Sequence, residues 1–223
     1  MHPGNLRFPS LTAAALVIVA ACTTNPSLDK SRDKSPLLDT TRSAETAPEN
    51  FRVRFETTNG PLTIEAHRAW APWGVDRFYY LVRNGFYDST AFSRVIPGFI
   101  AQFGISGNPE IAASWRQRLF PDDTIAHQTN SRGRISFATA GPMTRNTQLF
   151  INLRDNPTLD KDYAPFGEIV DGMTVIDSLW SGYGDMPPNG RGPDPSRIFT
   201  EGNAYLRRDF PQLDYILTAR IAK

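Results

Sequence analysis

The sequence predicts a mainly β protein, either a barrel or a sandwich, and two observations support that prediction. Eight short extended runs are separated by clusters of Gly, Pro and Asn, a pattern typical of all-β architectures. The 223 residues, of which 40% are apolar, suffice to bury a sizeable core in one domain. The charge balance, 24 Lys plus Arg against 23 Asp plus Glu, gives no support to nucleic-acid binding.

Residues 1–21 have the pattern of a signal peptide. Arg7 supplies positive charge, the run from Leu11 to Ala21 is apolar, and small residues precede Cys22, the only cysteine of the chain. The apolar run is shorter than the about 20 residues that a membrane-spanning helix needs. The tetrapeptide Val-Ala-Ala-Cys that ends at Cys22 resembles a bacterial lipobox. The resemblance implies that Cys22 is lipidated and holds the protein on a membrane of the cell envelope, facing the periplasm or the exterior; the alternative is an ordinary cleaved signal with a coincidental cysteine.

Residues 22–50 are predicted to be the lipidated cysteine and a flexible tether. The stretch is rich in Ser, Thr, Asp, Lys and Pro and holds only scattered leucines, so it cannot bury enough apolar area to offset the entropy lost on ordering. The alternative is an extension that packs on the domain. The folded domain is assigned to residues 51–223.

The domain is predicted to begin with a β-hairpin. Residues 51–56 alternate apolar and charged side chains with a period of two, residues 57–60 supply turn chemistry, and residues 61–66 resume the extended pattern. Further strands are predicted at 91–96, 99–103, 134–138, 149–153 and 165–170. A last alternating run, residues 213–221, can pair with the first strand and close the sheet.

Two helices are predicted between the strands. The first has apolar residues at helical spacing, followed by the stop signal Asn84-Gly85. Its apolar residues, which are expected to pack on the sheet, are Val75, Phe78, Tyr79 and Val82. The second is a short helix over residues 172–180. Residues 105–128 and 182–197 are long connections, and the second of them is rich in Gly and Pro.

One segment concentrates the candidate chemistry. Residues 90–104 read Thr-Ala-Phe-Ser-Arg-Val-Ile-Pro-Gly-Phe-Ile-Ala-Gln-Phe-Gly, and they place one arginine, one glutamine and several apolar side chains on two adjoining strands. The segment closely resembles the signature of the cyclophilins, a family of peptidyl-prolyl cis/trans isomerases. The resemblance implies that Arg94 is the catalytic arginine and that Gln102 orients it. Phe99 and Ile100 match two walls of the family's proline pocket.

A second segment, residues 135–152, resembles another part of the cyclophilin pattern. It reads Ile-Ser-Phe-Ala-Thr-Ala-Gly-Pro-Met-Thr-Arg-Asn-Thr-Gln-Leu-Phe-Ile-Asn. The resemblance implies an extended backbone that lies beside the substrate peptide, with Gln148 reaching across the groove and Phe150 forming the floor under the proline ring. The residues expected to bind the peptide by main-chain contacts are Ala138, Thr139 and Ala140.

A third segment, residues 156–167, resembles the loop that completes the pocket. It reads Asn-Pro-Thr-Leu-Asp-Lys-Asp-Tyr-Ala-Pro-Phe-Gly, so Leu159 matches an apolar wall and Tyr163 stands where the family has a histidine. Three motifs in the expected order make the match specific, and the resemblance covers roughly residues 51–221. It implies a closed barrel of eight antiparallel strands capped by two helices.

Four positions depart from the cyclophilin pattern. Each carries a residue type that the family does not usually have there, and they are Ser93, Phe103, Thr158 and Tyr163. Ser93 and Tyr163 replace histidines, Phe103 replaces a small residue, and Thr158 replaces a tryptophan. We expect these changes to alter substrate and inhibitor preference, cyclosporin binding included, more than the reaction itself.

The resemblance implies a peptidyl-prolyl cis/trans isomerase that acts on proline-containing polypeptides during the folding of envelope or exported proteins. The reaction needs no nucleophile, general base, metal or cofactor, because catalysis consists of favouring a twisted amide. We expect a monomer that binds its membrane through lipidated Cys22 and binds no nucleic acid. Two alternatives stay open: a noncatalytic peptide-binding module or holdase that uses the same groove, and an interaction domain whose loops dock an envelope partner.

Other polar residues give weaker signals. His67 and His127 lie far apart in the sequence and lack ligand spacing, so a metal site is not predicted. Asp122 and Asp123 are adjacent carboxylates, and we interpret them as solvated loop residues.

Overall fold

The computed structural model describes Met1 and residues 35–39, 41–124 and 128–222. Within these residues the strands are β1 (Asn50–Thr57), β2 (Gly60–His67), β3 (Thr90–Ala91), β4 (Arg94–Ile96), β5 (Ile100–Phe103), β6 (Arg134–Phe137), β7 (Leu149–Asn152), β8 (Pro165–Asp171) and β9 (Tyr215–Ile221). The helices are α1 (Pro72–Arg83), α2 (Pro109–Arg116), α3 (Met173–Asp177) and α4 (Pro195–Asp209). Apart from Met1, the predicted signal peptide, the lipidation site Cys22 and residues 23–34 of the predicted tether lie outside the described residues.

The strands form one antiparallel sheet in the order β3-β9-β1-β2-β8-β6-β7-β5-β4. The edge strands β3 and β4 are separated by only Phe92 and Ser93, so one bent segment joins the two edges of the sheet. Counted as one strand, they give the eight strands that the sequence predicts. The mainly β, antiparallel fold is therefore confirmed, although β3 and β4 pair with different neighbours and the ladder is open between them rather than closed.

Alternation with a period of two places the core on one face of this sheet. β1 buries Phe51, Val53 and Phe55 and turns the charged residues between them outward. β1 pairs with β2 on one side and with β9 on the other, so the predicted pairing of the first and last strands is confirmed. The hairpin that opens the domain and the strand that ends it thus share one core.

Helix α1 is the predicted amphipathic helix, and it packs against β8 and β9. Phe78 on its buried face lies 5.0 Å from Phe166 of β8, measured between ring centroids. The helix ends at Arg83, and Asn84 caps it as the stop signal predicts. Helix α3 is the predicted second short helix.

The first turn of α1 takes its cap from a distant carboxylate. Ala71, at the N-cap position, has no side-chain acceptor, and Asp123 instead accepts the main-chain N–H groups of Trp73 and Gly74 at 2.8 and 2.9 Å. Asp123 is buried and also accepts from Arg145 at 2.9 Å. The interpretation of Asp123 as a solvated loop residue is therefore wrong, because its charge is paired inside the protein.

Helices α2 and α4 were not predicted, so the described residues contain four α-helices rather than two. Helix α4 begins at Pro195, after Asp194, whose side chain accepts the main-chain N–H of Ser196 at 2.8 Å. Gly202 interrupts α4 with a φ of 58°. The apolar residues before and after this break therefore do not follow a single helical period in the sequence. None of the described helices has the length and apolarity that crossing a membrane requires.

Residues 35–39 and 41–49 correct the prediction of a flexible tether. Leu37 is buried, and Trp115 of α2 donates its indole N–H to the Leu37 carbonyl at 2.9 Å. Ala47 is also buried, and its N–H donates to the Asp76 carboxylate of α1 at 2.9 Å. The polar composition of the stretch conceals these few anchoring contacts, which offset the entropy of ordering it. The packed extension, the alternative to the tether, therefore describes residues 35–39 and 41–49.

Candidate active site

The register of the sheet brings the two predicted catalytic side chains together. Arg94 on β4 lies directly opposite Gln102 on β5, and Gln102 lies directly opposite Phe150 on β7. Residues directly opposite each other in antiparallel strands share a face, with Cβ atoms about 5 Å apart. Three neighbouring strands therefore present these three side chains on one surface.

A chain of hydrogen bonds links the polar side chains on this surface. Arg94 donates from Nη1 to Oε1 of Gln102 at 3.0 Å, and Gln102 donates from Nε2 to Oε1 of Gln148 at 3.1 Å. Gln102 is buried, so its amide is held at both ends in an environment where an unpaired polar group is costly. The chain orients the guanidinium of Arg94, whose side chain is half-buried.

Arg94 lines a cleft with a volume of about 460 Å³, which is within the range of small-ligand pockets. One part of this cleft is an apolar pocket. Phe150 is its buried floor, and the ring of Tyr163 meets the Phe150 ring edge-on at a centroid distance of 5.3 Å. The remaining apolar walls predicted from the sequence are Phe99, Ile100 and Leu159. The pocket can hold a prolyl ring against aromatic and aliphatic carbon.

The main chain from Ala138 to Ala140 forms one edge of the cleft. The N–H of Ala138 donates to the Gln148 carbonyl, and the N–H of Ala140 donates to Oγ1 of Thr144, both at 2.9 Å. Among the described residues, the main-chain N–H and C=O of Thr139 have no hydrogen-bond partner. Thr139 can therefore pair with an extended peptide through both groups.

Buried asparagines hold the two sides of the pocket in place. Asn156 donates from Nδ2 to the main-chain carbonyl of Phe99 at 3.1 Å and to the side chain of Asn152 at 2.8 Å. Asn130 donates from Nδ2 to the carbonyl of Tyr163 at 2.9 Å. Because these amides are buried and satisfied, they fix the main chain under two pocket walls that lie far apart in the sequence.

A residue of the long connection after α3 contacts Arg94. Asp185 accepts from Nε of Arg94 at 2.5 Å and from Nη2 at 3.3 Å. The hydrogen bond from Arg94 lowers the pKa of Asp185 below its ordinary value of 3.8, although burial acts in the opposite direction. Asp185 is therefore ionised at neutral pH. Arg94 gives three of its five N–H groups to these described partners, which leaves two for a ligand.

Comparison with protein families gives a match over residues 52–196 to the family described as cyclophilin type peptidyl-prolyl cis-trans isomerase/CLD. The chain belongs to this cyclophilin family. The match covers β1 to β8 and ends at the start of α4, so it contains all the strands that line the cleft.

Two fungal cyclophilins illustrate the relationship. A peptidyl-prolyl cis-trans isomerase-like 2 of Cryptococcus neoformans is 32% identical over 202 residues, which are 89% of this chain but 32% of the relative's length. The peptidyl-prolyl cis-trans isomerase ppi1 of Schizosaccharomyces pombe is 36% identical over 126 residues, which are 55% of this chain and 81% of that relative.

A solved cyclophilin shares the fold. The crystal structure of a cyclophilin type peptidyl-prolyl cis-trans isomerase of Cryptosporidium parvum, determined in the presence of the dipeptide Ala-Pro, matches with a TM-score of 0.58. It is 24% identical, and the match covers 77% of this chain and 99% of that chain. At this identity the likeness shows the architecture alone.

The residues predicted from the cyclophilin motifs all line this one cleft. They are Arg94, Phe99, Ile100, Gln102, Ala138, Thr139, Ala140, Gln148, Phe150, Leu159 and Tyr163. Their roles in binding and catalysis stay predictions. Among the four departures from the family pattern, Tyr163 lines the cleft, whereas Phe103 is buried in the core against Phe55 and Phe92, and Thr158 is exposed. Phe103 can therefore affect substrate choice only through the core.

The cyclophilin cleft also has lining residues that the sequence did not predict. They are Thr144, Asn146, Asp185, Met186, Asn189 and Pro195. The last four belong to the Gly/Pro-rich connection over residues 182–197. The unusual length of that connection was the one signal that pointed to it, and nothing in its local pattern indicates a contact with Arg94.

Proposed function

We propose that this chain catalyses the cis/trans isomerisation of X-Pro peptide bonds in polypeptides. The observation that carries the proposal is the guanidinium of Arg94, held by Gln102 in a cleft of about 460 Å³ that has apolar walls on one side. Membership of the cyclophilin family supports the same reaction. The substrate class is proline-containing polypeptide, because apolar side chains wall part of the cleft and the edge at Thr139 offers a free main-chain donor and acceptor among the described residues.

Amide rotation is slow because the nitrogen lone pair is delocalised into the carbonyl. The barrier is about 18–20 kcal/mol, and X-Pro bonds isomerise unaided in tens to hundreds of seconds. In the twisted transition state the lone pair is localised on the nitrogen, which becomes a better hydrogen-bond acceptor. A fixed donor beside that nitrogen therefore stabilises the twisted amide more than either planar ground state. In this mechanism Arg94 is the donor.

The size of this effect sets what the rest of the cleft must supply. A charge-assisted hydrogen bond contributes about 1.5–3 kcal/mol, which corresponds to a rate factor of roughly 10 to 100. The remaining acceleration comes from immobilising the two sides of the rotating bond. Phe150 and its neighbours hold the prolyl ring, and Thr139 holds the peptide main chain, so that rotation is the freedom that remains.

A protease-coupled assay on a proline peptide tests the proposal. The full chain should accelerate isomerisation, and Arg94→Ala should lower kcat/KM by roughly 10- to 100-fold. Arg134→Ala is the matched control, because Arg134 is also a half-buried, ion-paired arginine on a strand but does not line the cleft. No acceleration by the wild type, or equal acceleration by Arg94→Ala, would refute the catalytic assignment.

The contact between Arg94 and Asp185 favours a second candidate, a noncatalytic peptide-binding module on the same groove. A carboxylate that accepts hydrogen bonds from two N–H groups of Arg94 lowers the positive electrostatic potential that a substrate nitrogen would experience. An NMR titration with the same proline peptide separates the two candidates. Binding in the cleft without acceleration identifies the binding module, and acceleration that depends on Arg94 excludes it.

We also propose that the protein is an exported monomer, held on an envelope membrane by lipidated Cys22, and that its clients are envelope or exported proteins. Support comes from the apolar leader and from the lipobox-like position of Cys22. The described part of the domain starts at Ser35, and a fully extended segment from Cys22 to Ser35 can span at most about 45 Å.

Mass spectrometry of the mature N-terminus tests the anchor. The expected result is an acylated cysteine at position 22 and recovery of the protein with membranes. Cys22→Ala should move the protein to the soluble fraction without changing isomerase activity. An unmodified Cys22, or cleavage at another position, would contradict the anchor and leave the enzymatic proposal untouched. Light scattering of the purified chain at increasing concentration checks the monomer.

A further inference from the structure

Asp185 and Arg94 are 91 residues apart in the sequence, and their side chains form a two-bond ion pair in the cleft. Both carboxylate oxygens accept from the edge of the guanidinium that carries Nε and Nη2. Such fork-shaped pairing fixes direction as well as distance. The two side chains are 19% and 22% exposed, so water competes with the pair less than it does at an open surface.

The loop that carries Asp185, residues 182–194, is folded around this one residue. The main-chain N–H of Met186 donates to Oδ1 of Asp185 at 2.7 Å, and the N–H of Gly192 donates to the Asp185 carbonyl at 2.8 Å. A Cβ at position 190 would overlap the main-chain carbonyl of Asp185, so Gly190 is required for this close approach. The loop therefore fixes both the main chain and the carboxylate of Asp185.

The ion pair with Asp185 has two opposing effects on hydrogen bonding from Arg94 to a substrate. The carboxylate offsets part of the positive charge, which weakens donation to a substrate nitrogen. It also removes the freedom of a long side chain that Gln102 alone would hold through a single N–H. The exposure that remains, 19% and 22% of the two side chains, lets solvent screen part of the first effect. The second effect, the loss of side-chain freedom, matters more for catalysis. A hydrogen bond from Arg94 to the prolyl nitrogen weakens steeply when the donor is misaligned.

We propose that Asp185 is a positioning residue for the isomerisation. It holds the Nε edge of Arg94 so that the remaining Nη hydrogens are directed at the proline pocket. Asp185 acts through Arg94 and makes no contact with the substrate nitrogen in this role. The inference rests on the proposed isomerase function.

Kinetics of Asp185 variants in the full chain give the first test. Asp185→Ala should lower kcat about tenfold and change KM little, because the lost alignment matters in the transition state. Asp185→Glu should restore most of the rate, since it keeps a carboxylate for the fork. Asp185→Asn should lie between the two, because it keeps one acceptor and loses the charge.

A double-mutant cycle separates positioning from a general structural role. In an Arg94→Ala background, Asp185→Ala should cause no further loss, because the residue through which it acts is absent. Asp177→Ala is the matched control: it removes another two-bond contact of an arginine with an aspartate, that of Arg132, which lies outside the cleft. This control should retain the wild-type rate. An equal loss in both backgrounds, an unchanged rate in Asp185→Ala, or a rise in kcat/KM that would mark Asp185 as a masking group, would each overturn the inference.

NMR of the arginine Nε–H groups gives a readout that does not depend on catalysis. The Arg94 signal, assigned by its loss in Arg94→Lys, should exchange slowly with water in the wild type and in Asp185→Glu, and rapidly in Asp185→Ala. If the wild type is inactive, the proposed function fails and the positioning role fails with it, while this signal still reports whether Asp185 holds Arg94. If the wild type is active and its Arg94 signal is unprotected, the inference fails alone.

Discussion

The two sides of the cleft are built in different ways. The strand side, made by Arg94, Gln102 and Phe150, is fixed by the register of β4, β5 and β7. The loop side, made by Asp185 and its loop, is fixed by hydrogen bonds and close packing within one surface connection. The two sides meet at Arg94, which contacts Gln102 on one side and Asp185 on the other.

The two sides of the cleft therefore differ in how strongly a substitution there affects the stability of the fold. A side chain on the strand side also belongs to the core, so its replacement disturbs packing and chemistry together. The loop side has few buried apolar contacts, so its replacement changes the cleft at a small cost in stability. The reaction is therefore tied to the sheet, whereas the alignment of Arg94 can change independently of the fold.

The largest effect is expected from Phe150→Ala on the strand side. Phe150 is 3% exposed, and its truncation should lower the free energy of unfolding by about 3–5 kcal/mol and abolish the floor of the proline pocket. Urea denaturation with the coupled assay measures both. Met186→Ala on the loop side is the comparison variant, with an expected loss within about 1 kcal/mol. Equal losses in the two variants would erase the distinction between the sides.

Arg94→Lys tests the point where the two sides meet. Lysine keeps the positive charge but cannot make the forked contact with Asp185 while also donating to Gln102. We expect kcat/KM to fall roughly 10- to 100-fold, close to the value for Arg94→Ala, with little change in stability. A lysine variant with wild-type kinetics would show that charge alone suffices and that alignment from the two sides is unnecessary.

Gly190→Ala disturbs the loop side at a residue that does not itself line the cleft. The new Cβ would overlap the Asp185 carbonyl, so the main chain must move and carry the carboxylate away from Arg94. The expected result is a fall in kcat/KM of up to about tenfold with a small shift in the thermal midpoint. Gly184→Asn is the control in the same loop, because asparagine tolerates its φ of 65° and a Cβ there meets no atom within 4 Å. Similar losses in both variants would mean that the loop is merely intolerant of substitution.

The smallest effect concerns pH. The hydrogen bond from Arg94 depresses the folded-state pKa of Asp185 below 3.8, so the pair contributes stability above the unfolded-state value and loses it as the pH falls through the lower folded-state value. The difference in unfolding free energy between the wild type and Asp185→Asn should stay constant from about pH 8 to about pH 5 and shrink below about pH 4. Urea denaturation across this range measures it. A difference that already shrinks between pH 7 and pH 5 would contradict the lowered pKa.

The strands and the first helix were predictable because their patterns are local. Alternation over residues 51–56 and 61–66 and the helical spacing of Val75 and Phe78 each express which side chains face the core. Helix α4 was not predicted, because Gly202 and the Gly/Pro-rich stretch before the helix break the helical spacing of its apolar residues. The packing of the segment at Leu37 was not predicted, because the polar composition of the whole stretch conceals the few residues that make the contacts.

By itself, the sequence determined the mainly β architecture, and the resemblance of its motifs to the cyclophilins indicated most of the residues that line the cleft. For Arg94, Gln102 and Phe150, strand register converts spacing along the chain into position in space. The tertiary structure alone decided that Asp123 caps α1, that Leu37 packs on α2 and that Asp185 meets Arg94. Each of these contacts joins segments that are tens of residues apart, and no local periodicity encodes where a long loop will end.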